Sequence, residues 1–211
     1  ADELCRNIIA QWPASSTAVV ARQLVILNEL STCDESEGTA KVQAIIAENT
    51  PASRQIAKAA GDMYYRQRRY AAAAEVYRKL TLSASDDEHV LAAFGALIRT
   101  DIKLGKSVEA DTTLQAMRIR FPANPCLPGQ VAGMGDQYIS NGRPNKALPI
   151  YDYVGKTWPA TVDGGRSVLR LSTKDSFNEQ DFVTKLDAGL QSLTHADIID
   201  DAMTSFVESI Q

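Results

Sequence analysis

The chain contains few of the side chains that enzyme active sites use. His89 and His195 are its two histidines, and no cysteine lies at metal-ligand spacing from either. No Gly-x-Ser-x-Gly segment is present, so a histidine-based catalytic triad has no support. Both histidines lie at or just before the start of a predicted helix, where a solvated histidine is the expected interpretation.

Two further patterns have chemical counterparts, a phosphate-binding loop and a calcium loop. Gly105-Lys106-Ser107 ends like a phosphate-binding loop, but Thr100 occupies the required glycine position and a helix, not a strand, precedes it. Asp86-Asp87-Glu88 and Asp200-Asp201 lack the glycine spacing of a calcium loop and fit helix starts, where the helix dipole favours negative charge. We therefore expect a non-catalytic protein with no metal and no cofactor.

The three cysteines leave at least one thiol unpaired in a monomer. In a helical hairpin, Cys5 and Cys33 would be offset by more than about 10 Å along the helix axes, which is long for a disulfide. Two interpretations stay open: a Cys5–Cys33 disulfide, or three small buried hydrophobic residues, which the offset favours.

Composition sets limits on the class of protein. The 211 residues are 45% hydrophobic and 23% charged, which is typical of a folded globular chain. Twenty-two basic against 26 acidic side chains give a net charge of −4, whereas nucleic-acid binders usually carry a basic excess. The most apolar stretch, residues 17–30, is interrupted by Arg22, Gln23 and Asn28, so it predicts a buried helix and no membrane span.

The chain begins with Ala1-Asp2-Glu3, without methionine. A mature exported protein begins this way after signal-peptide cleavage, and so does a shortened chain. Both interpretations stay open, and the first favours a periplasmic or secreted location.

Two stretches of the chain repeat one spacing of small and aromatic residues. The first copy has Gly61, Tyr64, Ala73 and Tyr77, and the last copy has Gly135, Tyr138, Ala147 and Tyr151. In both copies the steps are three, nine and four residues, and the copies lie 74 residues apart. A middle copy is expected at half that offset, 37 residues, where Ala110 and Leu114 take the places of the alanine and the second tyrosine. Ile98 and Asp101 replace the glycine and the first tyrosine, so the first helix of this copy is degenerate.

The pattern resembles the tetratricopeptide repeat over about residues 54–160. That family places a small residue and an aromatic in each of two helices, and a proline often closes the repeat, as Pro122 and Pro159 do here. The resemblance implies an all-α superhelix of stacked antiparallel helix pairs, with repeats at 54–90, 91–127 and 128–160. Close crossing needs small side chains, so the glycine of each well-matched copy is expected to face the alanine of the same copy.

Helical patterns also flank the repeats. Residues 1–53 form a divergent repeat or a cap, and residues 161–211 form C-terminal capping helices, all in one continuous array. Asn178 and Thr194 each begin a capping-box pattern. About twelve helices and no strand are expected.

The resemblance implies a partner-binding groove lined by the first helix of each repeat. The inward positions are Gln55, Lys58, Asp62, Tyr65 and Arg66 in the first copy, Ala92, Gly95, Arg99, Ile102 and Lys103 in the second, and Gly129, Ala132, Asp136, Ile139 and Ser140 in the third. Four are basic, and Tyr65 and Ile102 are expected to give apolar contact. The sequence thus predicts a groove for an acidic or mixed-charge protein segment. The predicted binding residues are Lys58, Asp62, Tyr65, Arg66, Arg99, Ile102, Lys103 and Asp136. The alternative, that these charges only solvate a surface, stays open.

One family use of the groove is not predicted. Lysines and asparagines clamp the C-terminal carboxylate of heat-shock chaperones, but here the asparagine positions hold Asp62, Arg99 and Asp136. The two acids would repel a carboxylate.

Three hypotheses of function follow. The first is a scaffold or adaptor for a protein partner, as in a bacterial cell-envelope assembly. The second is a self-associating structural protein, in which Phe206, Val207 and Ile210 give the terminal helices an apolar face. The third is a regulatory module of a larger enzyme system. None involves nucleic acid.

Overall fold

The computed structural model describes residues 2–174 and 178–210, and within them the protein is all-helical, as the sequence predicts. The helices are α1 (Asp2–Gln11), α2 (Ser16–Thr32), α3 (Glu35–Ala47), α4 (Pro51–Arg66), α5 (Tyr70–Thr81), α6 (Glu88–Lys103), α7 (Ser107–Arg120), α8 (Leu127–Ser140), α9 (Pro144–Thr157), α10 (Val162–Thr173), α11 (Glu179–Ser192) and α12 (Ile199–Ile210). A 3-10 turn, Ala196–Ile198, precedes α12. In this part of the chain no helix is both long and apolar enough to cross a membrane.

The helices form two compact units, residues 1–120 and residues 121–211. In the first unit, α2, α3, α5 and α6 pack against α4, and α6 also packs against α5 and α7. In the second unit, α10 packs against α8, α9, α11 and α12. Adjacent helices thus pack in pairs, as in an α-helical repeat. The boundary between the units falls inside the predicted repeat 91–127, directly after α7.

Helix starts recur along the chain with the predicted period. Four polar residues near the starts of α4, α6, α8 and α10 lie 37 residues apart: Thr50, Asp87, Asn124 and Thr161. In three of them the side chain accepts the backbone N–H three residues further on, at 3.0, 3.0 and 3.1 Å. Asn124 accepts the N–H of Cys126 at 2.9 Å. These bonds satisfy amide groups that a helix start leaves unpaired. The period therefore runs through the degenerate copy and reaches α10.

The turn inside each helix pair recurs with the same period. Its central residue has a positive φ at Arg68 (61°), Gly105 (77°) and Gly142 (67°). The next N–H donates to a carbonyl five residues back, at 2.9, 2.8 and 2.9 Å. Two of the three positions are glycine, which adopts this conformation without steric cost. The middle copy thus keeps the helix–turn–helix geometry although Ile98 and Asp101 break the motif. Gly105-Lys106-Ser107 is this turn and the start of α7.

The residues that define the repeat lie in the two cores. Gly61, Tyr64, Ala73, Tyr77, Ala110, Gly135, Tyr138, Ala147 and Tyr151 are all buried. A Cβ atom on Gly61 would lie 2.5 Å from Cε1 of Tyr77, and one on Gly135 would lie 2.7 Å from Cε1 of Tyr151. The space beside each glycine, where a side chain would lie, is therefore taken by a tyrosine ring of the following helix.

The C-terminal helices differ in part from expectation. Asn178 caps α11 as predicted, accepting the N–H of Asp181 at 2.9 Å. Thr194 does not begin α12, because the chain first closes the 3-10 turn and enters the helix at Ile199. Phe206 is 1% exposed and stacks on Phe182, so it belongs to the core and offers no surface for self-association. Val207 is exposed, and the side chain of Ile210 lies outside the described residues.

All three cysteines are free thiols, so the disulfide interpretation is wrong. Cys5 and Cys33 are half-buried, but Cys126 is exposed. Cys126 lies in the loop before α8, and loops run over the surface where few side chains cover them. The interpretation as three buried small residues is therefore wrong for Cys126.

Candidate partner-binding face

The carboxylate of Asp62, a predicted groove residue, is held inside the first unit. The hydroxyl of Tyr77 on α5 donates to its Oδ1 at 2.7 Å. The ammonium of Lys58, one helical turn earlier on α4, lies 2.8 Å from Oδ2 and 3.1 Å from Oδ1. The tyrosine ring reaches this carboxylate because Gly61 leaves room for it. Asp62 therefore completes the hydrogen bonding of a buried tyrosine as well as facing the surface.

The second unit repeats this arrangement. The hydroxyl of Tyr151 donates to Oδ1 of Asp136 at 2.6 Å, and Arg166 on α10 donates to Oδ2 at 2.8 Å. Asp136 is a predicted groove residue, but its bond to Tyr151 is not among the sequence-based expectations. A signal was present: in both copies an aspartate directly follows the glycine and precedes the second tyrosine by fifteen residues.

The Tyr77 hydroxyl titrates at higher pH than an ordinary tyrosine. Burial, and then the adjacent carboxylate of Asp62, raise its pKa well above the usual value of about 10. The folded protein thus keeps a proton that the unfolded chain releases above about pH 10. The stabilisation is complete below that pH and is lost as the pH rises above it.

We expect Tyr77→Phe to flatten the fall of stability at high pH. Without the hydroxyl, the loss of unfolding free energy above pH 10 should be shallower by up to about 1.4 kcal/mol per pH unit. Guanidinium unfolding of both proteins between pH 8 and 11.5 measures this difference. Equal slopes for the two proteins would contradict the assignment.

Arg99, on α6, lies beside the same cluster. Its positive charge acts on both Tyr65 and Tyr77, lowering their pKa values against the larger opposing effect of burial. Tyr65 is half-buried and makes an edge contact with Tyr70, with the ring centroids 5.2 Å apart. Tyr65 of α4 and Arg99 of α6, both predicted groove residues, therefore lie close enough to interact electrostatically. We call this surface of α4 and α6 the first-helix face; it carries Lys58, Asp62, Tyr65, Arg66, Arg99 and Lys103.

The last turns of the two helices extend the basic character of the first-helix face. Arg66 ends α4 and Lys103 ends α6, and both are exposed. Ile102 is only 1% exposed, so its predicted contact with a partner is wrong. The reason is that α4, α5 and α7 all pack on α6, and the residue before Lys103 turns into the core between them.

A cleft of about 360 Å³ lies at the other end of the same helices. Val19 and Val20 of α2, Pro51 and Gln55 of α4, and His89 of α6 line it. Gln55 is a predicted groove position, whereas the contribution of α2 is not predicted, because α2 has no recognisable repeat motif.

The two acidic clusters of the sequence lie at or just before helix starts. Asp87 caps α6, and Asp86 pairs with Arg120. Asp200 and Asp201 lie in the first turn of α12. Among the described residues, no group of three histidine, cysteine, aspartate or glutamate side chains is placed to hold a metal ion.

The paired helices, with caps and turns that recur every 37 residues, define an all-helical protein of repeating helix pairs. Comparison with family models, with curated proteins and with solved structures gave no match.

Proposed function

We propose that this chain is a tetratricopeptide-type scaffold that binds an acidic segment of a protein partner on the first-helix face. The helix pairs of the first unit would then belong to a superhelix of that type. The recurrence of caps and turns supports the proposal, because it gives the degenerate middle copy the same backbone as its neighbour. Such an adaptor fits an assembly of the bacterial cell envelope.

The observation that carries the proposal is the charge of the first-helix face. Among the predicted positions on α4 and α6, the face has four cations and one carboxylate, a net charge of +3 on a chain of net charge −4. That carboxylate is already bonded to Lys58 and to the tyrosine hydroxyl. A local excess of one sign attracts and orients a partner of the opposite sign.

The shape of the first-helix face suggests how the segment binds. Tyr65 offers a half-buried ring beside Arg99, and the cleft at Val20 and Gln55 offers an apolar recess at the far end of the helices. An extended segment along α4 would place acidic residues near the ring and an apolar side chain in the recess.

Charge reversal tests the proposal. We expect the double variant Arg99→Glu and Lys103→Glu to bind a fluorescein-labelled, glutamate-rich peptide with a central phenylalanine at least about tenfold more weakly. The decrease of affinity with salt should also become shallower, because fewer charges oppose the peptide. Fluorescence anisotropy between 50 and 300 mM salt measures both effects.

The control carries the same change of net charge elsewhere. Lys146 and Lys156 are exposed on α9 in the second unit, and reversing both should leave affinity and salt dependence as in the native chain. If the Arg99 and Lys103 variant behaves like this control, the peptide does not bind the first-helix face.

A further inference from the structure

A large open cleft lies on a different side of the first unit, between α5 and α7, with α6 as its floor. Its volume is about 720 Å³. Phe94 and Leu97 of α6 form an apolar floor. Leu82 and Val108 line the cleft from its two sides and are 79% and 76% exposed. Exposed apolar side chains of this size around one recess are a feature of interaction sites.

The cleft lies where the middle copy lacks the first tyrosine of the motif. In the first copy the equivalent position, between α3 and α5, holds only a cavity of about 10 Å³, and Tyr64 lines it. Five residues of that cavity, Tyr64, Ala72, Glu75, Val76 and Lys79, have counterparts 37 residues later, Asp101, Glu109, Thr112, Thr113 and Ala116, that line the cleft. The two sites are thus the same place in successive repeats, one containing a phenol ring and the other without it.

Asp101, which replaces the tyrosine, leaves a hydrogen-bond acceptor unused. The residue is 1% exposed, and its Oδ1 accepts no hydrogen bond. Arg78, at the side of the cleft, comes no closer than 3.7 Å to Oδ1. Burial raises the pKa of this carboxyl, and the positive charge of Arg78 opposes the shift. A buried acceptor without a donor costs about 1–3 kcal/mol, and a ligand that supplies the donor recovers it.

We propose that the cleft binds a protein partner through an aromatic side chain with a ring hydrogen-bond donor, a tryptophan or a tyrosine, that donates to Asp101. The ring takes the place that Tyr64 holds in the preceding repeat and packs on Phe94 and Leu97. Arg78, which pairs with the carboxylate at 3.7 Å without a hydrogen bond to Oδ1, moves aside as the ring enters. A protein segment fits better than a free small molecule, because Leu82 and Val108 extend apolar contact to the rim, beyond the reach of a single ring.

The cleft and the first-helix face share α6 but use different residues of it: Phe94, Leu97 and Asp101 line the cleft, whereas Arg99 and Lys103 belong to the face. Binding at either can therefore fail in experiment without affecting the other. The variants at Arg99 and Lys103 leave every cleft residue unchanged.

A pair of matched probes tests the proposal on the full chain. N-acetyl-tryptophanamide and its 1-methyl derivative have the same ring, but only the first has an indole N–H. We expect the first to shift amide NMR signals of Thr112 and Thr113 and to bind at least about fivefold more tightly than the second. Asp101→Leu should abolish this preference. Asp101→Tyr should place its own ring over Phe94 and Leu97, abolish binding of both probes and raise the melting temperature.

Asp111→Tyr is the matched control, since Asp111 is exposed on α7 and the same substitution there should leave binding unchanged. If Asp101→Tyr does not fold, the loss of preference in Asp101→Leu remains the deciding result. Equal binding of the two probes to the native chain, or no binding, would overturn the proposal. If free indole binds more than tenfold more tightly than N-acetyl-tryptophanamide, the cleft binds a small molecule and not a protein segment, and the proposal is wrong. If sedimentation shows a dimer that Asp101→Tyr dissociates, the occupant of the cleft is a second copy of this chain and not a different partner.

Discussion

Replacing Gly61 by isoleucine is expected to destabilise the first unit by about 3 kcal/mol or more, because the new side chain overlaps the Tyr77 ring. Even a single Cβ atom on Gly61 would lie 2.5 Å from that ring. The ring cannot move away cheaply, since Tyr77 is 1% exposed and its hydroxyl is bonded to Asp62. Denaturant unfolding followed by circular dichroism measures the loss.

The chain itself suggests the compensating change. The middle copy has Ile98 where the first has Gly61, and Leu114 where the first has Tyr77. The larger residue on one helix is accompanied by a smaller one on the next. Combining Gly61→Ile with Tyr77→Leu should therefore recover at least about 1 kcal/mol relative to the sum of the single changes. Strict additivity, or an unchanged stability of the Gly61→Ile protein, would show that ring and glycine are not in tight contact.

The second large effect is expected at Arg54, a cation that is 5% exposed. Its guanidinium donates to the carboxylate of Asp87 and to the backbone and side-chain oxygens of Asn49, the last two at 2.8 and 2.9 Å. It thus joins the loop before α4 to the cap of α6. Although burial opposes the shift, the N–H of Val90 and the Arg54 guanidinium lower the pKa of Asp87.

We expect Arg54→Met to cost about 3 kcal/mol, because Asp87 and Asn49 lose a buried charged donor, although Ser85 and Ser83 still donate to their side chains. Arg54→Lys should recover only part of the loss, since one ammonium does not span all three acceptors. Denaturant unfolding gives the free energies, and amide hydrogen exchange at Val90 should become faster as the cap loosens.

Arg22→Met provides the comparison for Arg54→Met. Arg22 also pairs with an acid, Glu48, but both side chains are more than a third exposed. Exposed ion pairs contribute at most about 1 kcal/mol, so this change should have little effect. If both methionine variants cost the same, the burial of Arg54 does not explain its contribution.

The candidate site could be predicted from the sequence only in part. The family spacing places Lys58, Tyr65 and Arg99 on first helices, and in the structure the charge of Arg99 acts on Tyr65. The same spacing puts Ile102 beside Lys103 on the predicted face, but successive residues on a helix differ by about 100° in direction. Because α4, α5 and α7 all pack on α6, the side chain of Ile102 turns into the core and that of Lys103 stays exposed.

The sequence by itself determines the helical class, the 37-residue period and the identity of the buried glycines and tyrosines. These features depend on local spacing, which each helix pair expresses with its own residues. Only the tertiary structure decides where the polar groups between helices find partners. The carboxylate of Asp62 accepts from a hydroxyl fifteen residues further on, Arg54 donates to a helix cap 33 residues further on, and Oδ1 of Asp101 has no donor. Each outcome depends on which side chain of a neighbouring helix fills the space opposite, and spacing within one helix does not specify that neighbour.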